Sequence, residues 1–425
     1  MRDEVDVAVV GGGAAGIAAA RGLTRVPGLS VLLIEAEGRL GGRARTLPGA
    51  FPVDLGCAWL HSGLTNVWAG IAEAEGFTVD RRPAPWDDDA RDRGLAPDEQ
   101  AASAAALDEV RAKADADAAR GGDGPLSDHV PADSRWRGMI DAVSTYVSGA
   151  TVDRISVRDT GDYRPGEGDD WRVVEGYGRL VAHHGRGVPA VLDAPVARID
   201  RSGAGPVRIE TARGTVRARA VIVTVSTAVL AAEHIRFHPA LPDKVEAAAL
   251  LPLGSVEKLW MTVSDPDSFP AEQFCLGSPD TVHTAAYHFR PFGRPVVECF
   301  LGGDLARDLS RAGTGAALDF ARSELRARFG AGAARAVAPL HLTGWGREPH
   351  ILGSYAYAVP GGAGARARLA APVDGRLFFA GEAAHPTRFT TAHGAYESGA
   401  AAAEAALAGL APRAQPAAMS AERIN

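Results

Sequence analysis

The apolar run Val5–Val10 (VDVAVV) stops at Gly11-Gly12-Gly13, and sequence of helical composition follows from Ala14 to Leu23. A second apolar run, Ser30 to Glu35 (SVLLIE), completes a strand–helix–strand unit whose strands read as buried and parallel. Gly11, Gly13 and Gly16 spell G-x-G-x-x-G in the connecting turn. Glu35 lies 19 residues beyond Gly16, at the end of the second strand. Each position has a physical task. Gly11 permits the tight turn, Gly13 lets backbone approach a pyrophosphate, and Gly16 lets helix and strand pack closely. Free N–H groups and the dipole at the helix N-terminus favour the negative charge of that pyrophosphate. Glu35 can accept hydrogen bonds from both ribose hydroxyls, and its charge repels a 2′-phosphate, which argues against NADP. Strand, glycines, helix, strand and acid in this order predict dinucleotide binding.

Arg39 to Thr46 (RLGGRART) sets a second glycine doublet between arginines just past Glu35. Glycine lets backbone approach a ligand, and arginine suits phosphate. A cofactor that reaches past its own pyrophosphate needs a second contact surface of this kind. FAD does so through its ribityl chain and flavin ring.

Further strands are predicted at Ala220 to Val225 (AVIVTV), Ser255 to Val263 (SVEKLWMTV) and Arg376 to Ala380 (RLFFA). Helices are predicted over residues 101–120, 314–329 and 394–407, strand-and-turn sequence over 172–220, and loops over 83–94 and 161–170. Nucleotide-type elements thus recur at both ends and in the middle. The fold expected is α/β, a Rossmann-like FAD-binding domain interleaved with an α+β substrate-binding domain. Residues 1–65, 172–252 and 344–412 would form the first, 66–171 and 253–343 the second, and 413–425 a loose tail.

Composition removes several classes of function. Asp and Glu outnumber Lys and Arg by 52 to 45, which argues against a general nucleic-acid binder. Three separated cysteines without a CxxC pair argue against a disulfide framework or a metal site. The longest nearly apolar run, Ala220 to Ala232, falls short of the ~20 residues of a spanning helix, and the acidic N-terminus is no signal peptide. A soluble protein of a reducing compartment, the cytoplasm, is expected, with no membrane partner. Oligomeric state is left open. Lysine occurs three times against 42 arginines, so each lysine merits inspection.

With these motifs in place, the chain resembles the flavin-containing amine oxidase family, which includes monoamine oxidases, polyamine oxidases and lysine-specific histone demethylases. The resemblance rests on the N-terminal fingerprint with VDLGCAWLHSG, on WRVVEGYGRL, AVIVTVSTAVL and GSVEKLWMTV, and on TGWGREPHILGSYAYAVPGG with GRLFFAGEAAHPTRFTTAHGAYESG. It implies that Gly11, Gly13, Ala15, Gly16, Glu35, Ala36, Gly42 and Arg43 hold the adenine half and pyrophosphate. Gly56 and Trp59 would follow the flavin, Val196 would meet adenine, and Gly381 and Glu382 would lie by the ribityl–pyrophosphate region. Thr391 and Ala392 would reach the flavin ring at the start of the last helix. Ser354 stands where monoamine oxidases attach flavin through cysteine, so FAD would be held non-covalently. Thr391 replaces their second cage tyrosine, and Tyr355 matches the first.

Read alone, Lys258 sits on the polar face of an alternating strand with Val256, Trp260 and Thr262. The resemblance instead makes it the lysine that holds water near flavin N5, as a fixed positive charge. Trp345 and Tyr355 would wall the substrate channel, and His61 would meet the substrate amine. The implied reaction is hydride transfer from an amine α-carbon to flavin, imine hydrolysis to aldehyde or ketone, and reoxidation by dioxygen giving hydrogen peroxide. A polyamine or primary amine is the implied substrate. The acidic stretches Asp87-Asp88-Asp89 and Asp169-Asp170 could guide a polycation. Alternatives are an L-amino-acid oxidase, a phytoene-desaturase-like or protoporphyrinogen-oxidase-like flavoenzyme, and a non-catalytic flavin-binding module.

Overall fold

The computed structural model describes residues 4–86 and 95–410. The triplet Asp87-Asp88-Asp89 and the tail from 413 lie outside the described residues. Among them the largest sheet has eight strands. The first strand, Glu4–Val10, lies inside it, parallel to Val31–Ile34 on one side and Gly214–Val223 on the other. Leu377–Phe379, from near the end of the chain, also pairs in parallel with Gly214–Val223. Ala190–Val191 extends one edge. Val207–Thr211, Val196–Asp200 and Arg236–His238 extend the other.

Helices cover both faces of the central parallel part of this sheet, which is why Val7–Val10, Val31–Ile34, Ala220–Val223 and Leu377–Phe379 are apolar and buried. The first helix (Ala14–Thr24) and the last (Ala392–Leu410) cover one face through Ala19, Ala20, Leu23, Ala402, Ala403 and Ala406. Their alanines and glycines allow close approach: a Cβ added to Gly399 would lie 2.0 Å from the Ala15 carbonyl oxygen. The other face packs on Val229, Leu230, Ala247, Leu251 and Leu369.

A second, antiparallel sheet runs Gln273–Leu276, Ala286–Phe289, Val296–Gly302, Val256–Val263, Val337–Leu342. Alternate residues Leu259, Met261, Cys299 and Leu301 join Ala317, Ala321 and Leu325 of the helix Thr314–Ala336 in one core. The opposite face carries Lys258, Glu298, Phe300 and His288 and borders a cavity. Period-2 patterning thus separates core from cavity, not core from solvent, and Lys258 is buried.

Two sequence expectations need correction. Residues 177–184 form a helix, Tyr177–His184, where strand and turn were expected. Its N-terminal amides are capped by the distant Asp54, whose carboxylate accepts from Tyr177 N (2.9 Å) and Gly178 N (3.0 Å). The helix expected over 314–329 continues to Ala336, across a break at Gly330 (φ +86°). Among the described residues no helix is long and apolar enough to cross a membrane, and no group of three or more His, Cys, Asp or Glu could hold a metal ion.

Candidate active site

A cavity of about 1570 Å³ runs from the glycine turn of the first sheet to the bare face of the second. Sites for one drug-sized ligand span about 300–1,000 Å³, so this one has room for a dinucleotide and a substrate beside it. Gly11, Gly13, Ala15, Glu35, Ala36, Gly42, Arg43 and Val196 line one part. Gly56, Trp59, Gly381, Glu382, Thr391 and Ala392 also line it, together with His61, Lys258, Trp345 and Tyr355. Gly16 does not. A Cβ there would lie 1.9 Å from the Gly11 carbonyl oxygen, so its role is to let the helix seat on the turn.

The glycine turns make a bare cradle. A Cβ added to Gly13 would meet no protein atom within 4 Å. Gly42, held at φ +55°, lies against Gly13, and Gly41 N donates to Gly12 O at 2.8 Å. Glu35 is buried and accepts from the amides of Gly12 and Glu37. Burial pushes its pKa up, against the pull of those bonds. A carboxylate offers about four acceptor positions, so Glu35 retains capacity for ribose hydroxyls. Arg43 donates to Glu382 Oε1 (3.0 Å) and to the Ser354 carbonyl. Glu382 also accepts from Ala356 N and Thr390 N, both at 3.1 Å. An open glycine floor, a buried acid and a guanidinium fit the two ends and the diphosphate of FAD.

At the far end Lys258 Nζ forms an ion pair with Glu298 Oε1 at 2.7 Å and donates to Asp54 O at 3.3 Å. Neighbouring Glu257 points the other way. It accepts from Thr343 Oγ1, Trp345 N (3.1 Å) and Gly346 N, while Trp345 Nε1 donates to Leu55 O at 3.2 Å. Trp345 is therefore anchored at both ends. The Tyr355 hydroxyl donates to the Tyr146 carbonyl, and burial pushes its pKa up. Thr391 caps the last helix: its hydroxyl donates to Arg388 O (2.7 Å) and accepts from Gly394 N (3.0 Å). Its hydroxyl thus caps the helix while the residue lines the cavity.

His61 Nδ1 lies 2.8 Å from Asp170 Oδ2, and Asp170 Oδ1 accepts from Ser62 N at 2.9 Å. Burial pushes Asp170 up, but these bonds outweigh it and hold the carboxyl below its ordinary range. His393 also lines the cavity; burial, reinforced by the charges of His61 and Arg388, pushes its pKa down to about 3. Trp59 packs against the tilted ring of Trp86 (4.2 Å) and against the Arg172 guanidinium (4.9 Å). Arg172 is pinned by Asp80 and Glu272, and Glu272 also holds His288 Nε2 at 2.8 Å.

The sequence reading missed Glu298, His288, Glu257, Trp86 and His393. A single acid inside the apolar run of GRPVVECFLGG was the available signal for Glu298. His288 in AAYHF offered a similar one. The others acquire meaning only from partners distant in sequence.

A dinucleotide turn opening into a cavity that ends in a polar, aromatic-walled chamber defines a dinucleotide-dependent oxidoreductase. Comparison with known proteins agrees and narrows the class. Residues 14–407 match the family of flavin containing amine oxidoreductases. Polyamine oxidase 5 of Oryza sativa subsp. japonica is 29% identical over 436 residues, covering 94% of this chain and 87% of its own. Among solved structures, putrescine oxidase bound to putrescine superposes with a TM-score of 0.75 at 19% identity, covering 95% of this chain and 99% of that one. Cyclohexylamine oxidase from Brevibacterium oxydans superposes with 0.74 at 23% identity, covering 95% and 98%. The chain belongs to the flavin-containing amine oxidoreductase family and is an FAD-dependent amine oxidase.

Proposed function

We propose that this enzyme oxidises a small polyamine or primary amine on non-covalently held FAD, with dioxygen as acceptor and hydrogen peroxide as product, in the cytoplasm. The observation that carries the proposal is the continuity of one cavity from Gly11, Glu35 and Arg43 to Lys258, Trp345, Tyr355 and His61. In this reading the eight-stranded sheet and its helices, with the boundaries expected from sequence, hold the cofactor, and the five-stranded sheet bounds the substrate. FAD, when bound, supplies the two-electron chemistry, taking electrons from the amine carbon and passing them to dioxygen.

The chain's own residues prepare the substrate. With Nδ1–H donating to Asp170, His61 keeps Nε2 as an acceptor, able to take a proton from a substrate ammonium and leave the amine neutral. Trp345, Tyr355, Trp59, Trp86 and Phe300 exclude water and orient the carbon chain. Non-covalent attachment is supported by two positions. Ser354 donates its hydroxyl to Gly254 O at 2.7 Å, and burial pushes the thiol of the cavity residue Cys57 up to about 12, where it is no nucleophile. An amino-acid oxidase needs a free arginine for the substrate carboxylate. Of the three arginines that line the cavity, Arg43 is held by Glu382 and Arg164 donates to the Gly161 and Tyr163 carbonyls, so an amino-acid substrate would have to use the exposed Arg111.

The test is to supply FAD to the purified protein, add diamines, polyamines, monoamines and L-amino acids without oxygen, and follow flavin absorbance. Bleaching by one amine class, with peroxide released on readmitting air and flavin freed by acid precipitation, is the expected result. A flavoprotein that no amine bleaches refutes it.

A further inference from the structure

We infer that Glu298 is a positioning residue for Lys258 and cancels its charge, so that the reacting end of the cavity is governed by a neutral ion pair instead of a lone cation. The inference rests on the proposed placement of flavin beside Lys258.

The strand register brings the two residues together. Lys258 is opposite Phe300 and Trp260 is opposite Glu298, so Lys258 and Glu298 are diagonal neighbours on one face of the sheet. That face borders the cavity, and both residues line it. Their side chains are 5% and 9% exposed. At such burial the two charges are little screened by solvent, so each largely offsets the field that the other makes in the cavity. The geometry also fixes direction. An ammonium has three N–H donors. Lys258 directs them towards Glu298 Oε1 at 2.7 Å and Asp54 O at 3.3 Å, which leaves one for the cavity. The Phe300 ring, 5.7 Å from Nζ, closes another side. A lysine held only by its flexible stem would have no such orientation.

The other charges near the pair are the buried Asp54 carboxylate, tied to Thr46 and the Tyr177 and Gly178 amides, and the cluster around Arg172; they are common to wild type and variants, so a difference between variants reads the pair itself. Glu298 lies opposite His288 in the next strand, and His288 is held by Glu272, which Arg172 neutralises. The electrostatic character of this end therefore depends on whether Glu298 is present. With it, bound flavin experiences a fixed dipole. Without it, flavin experiences a buried positive charge that favours the reduced, anionic form.

The test uses the FAD-loaded enzyme and reads the two-electron midpoint potential of its flavin by reductive titration with a dye. Glu298→Gln leaves Lys258 uncompensated and should raise the potential by about 30 mV, a roughly tenfold change in the equilibrium constant. Lys258→Met leaves Glu298 uncompensated and should lower it by a similar amount. The double variant removes both charges and should return to within about threefold of the wild-type constant, because the two opposite shifts cancel. Should Glu298→Gln not fold, Lys258→Met against the double variant still reads the compensation, because the double variant buries no unpaired charge. Single-variant shifts of the same sign overturn the inference, as does a double variant that stays at the Lys258→Met potential. So does a Glu298→Gln enzyme that melts earlier with its potential unchanged. In all three cases flavin is bound, and the proposed amine oxidation stands. Failure to take up flavin at all overturns both readings.

Discussion

Two glycines of the same turn should respond to the same added methyl in opposite ways. In Gly16→Ala the new Cβ would start 1.9 Å from the Gly11 carbonyl oxygen, about 1.1 Å inside the closest approach real Cβ atoms make. The obstacle is backbone, so the first helix must lift from its strand. Overpacking of this kind costs about 1–3 kcal/mol. Unfolding entropy is about 2.1 cal/mol/K per residue, so for a chain this long roughly 1 kcal/mol shifts the melting temperature by about 1 °C. Cofactor-free Gly16→Ala should therefore melt about 1–3 °C early. In Gly13→Ala the Cβ meets no protein atom within 4 Å, and the backbone there (φ −76°, ψ −174°) suits alanine. The cofactor-free protein should melt within about 1 °C of wild type, or slightly above it through lost unfolded-state entropy. Its methyl, however, projects where the diphosphate has to approach. FAD affinity, read by quenching of flavin fluorescence, should fall at least about tenfold, which is about 1.4 kcal/mol. Wild-type FAD affinity in Gly13→Ala would refute the cradle. Unchanged melting of cofactor-free Gly16→Ala would refute its packing role.

Two further outcomes follow from buried polar groups. Arg366 and Asp159 are paired through contacts of 2.7, 2.9 and 3.0 Å, and Arg366 also lies 3.7 Å over the Phe389 ring. Arg366→Met should lower stability in urea by about 3–5 kcal/mol by stranding Asp159, and adding Asp159→Asn should recover part of it; no recovery would show that packing, not charge, was lost. His393 takes up a proton in the unfolded chain near pH 6.5 but in the folded protein only near pH 3. Between these values the unfolded state binds more protons, so acidification destabilises the fold by about 1.4 kcal/mol per pH unit. Because the unfolded histidine is only half protonated at pH 6.5, the urea stability of wild type should fall by about 1 kcal/mol more than that of His393→Gln between pH 6.5 and 5.5, and equal losses would refute the assignment.

The dinucleotide unit was legible because its signals are local: an apolar run, three glycines and an acid within 35 residues. The scarcity of lysine also carried information. Lys113 lies on a helix surface by Glu109, Lys244 donates to the carbonyls of Arg368, Leu369 and Ala371, and Lys258 lines the cavity. What stayed hidden was non-local. The helix Tyr177–His184 depends on a cap from Asp54, more than 120 residues earlier. The His61–Asp170 pair spans 109 residues. Alternation in residues 255–263 was read correctly as a strand, yet the same period serves a face turned to water and one turned to a cavity. Only the opposite strand, with Glu298, decides which.

The parallel pairing of Glu4–Val10 with Gly214–Val223 has a consequence for synthesis. At about 5–20 residues per second, the first strand emerges some 10–40 s before the partner that flanks it. The closing helix, Ala392–Leu410, follows only after that partner is complete. Until then the apolar first strand of the nascent chain has no complete shelter. This enzyme should accordingly lean on chaperones in the cell, and a chain that terminates before residue 392 should be cleared instead of accumulating.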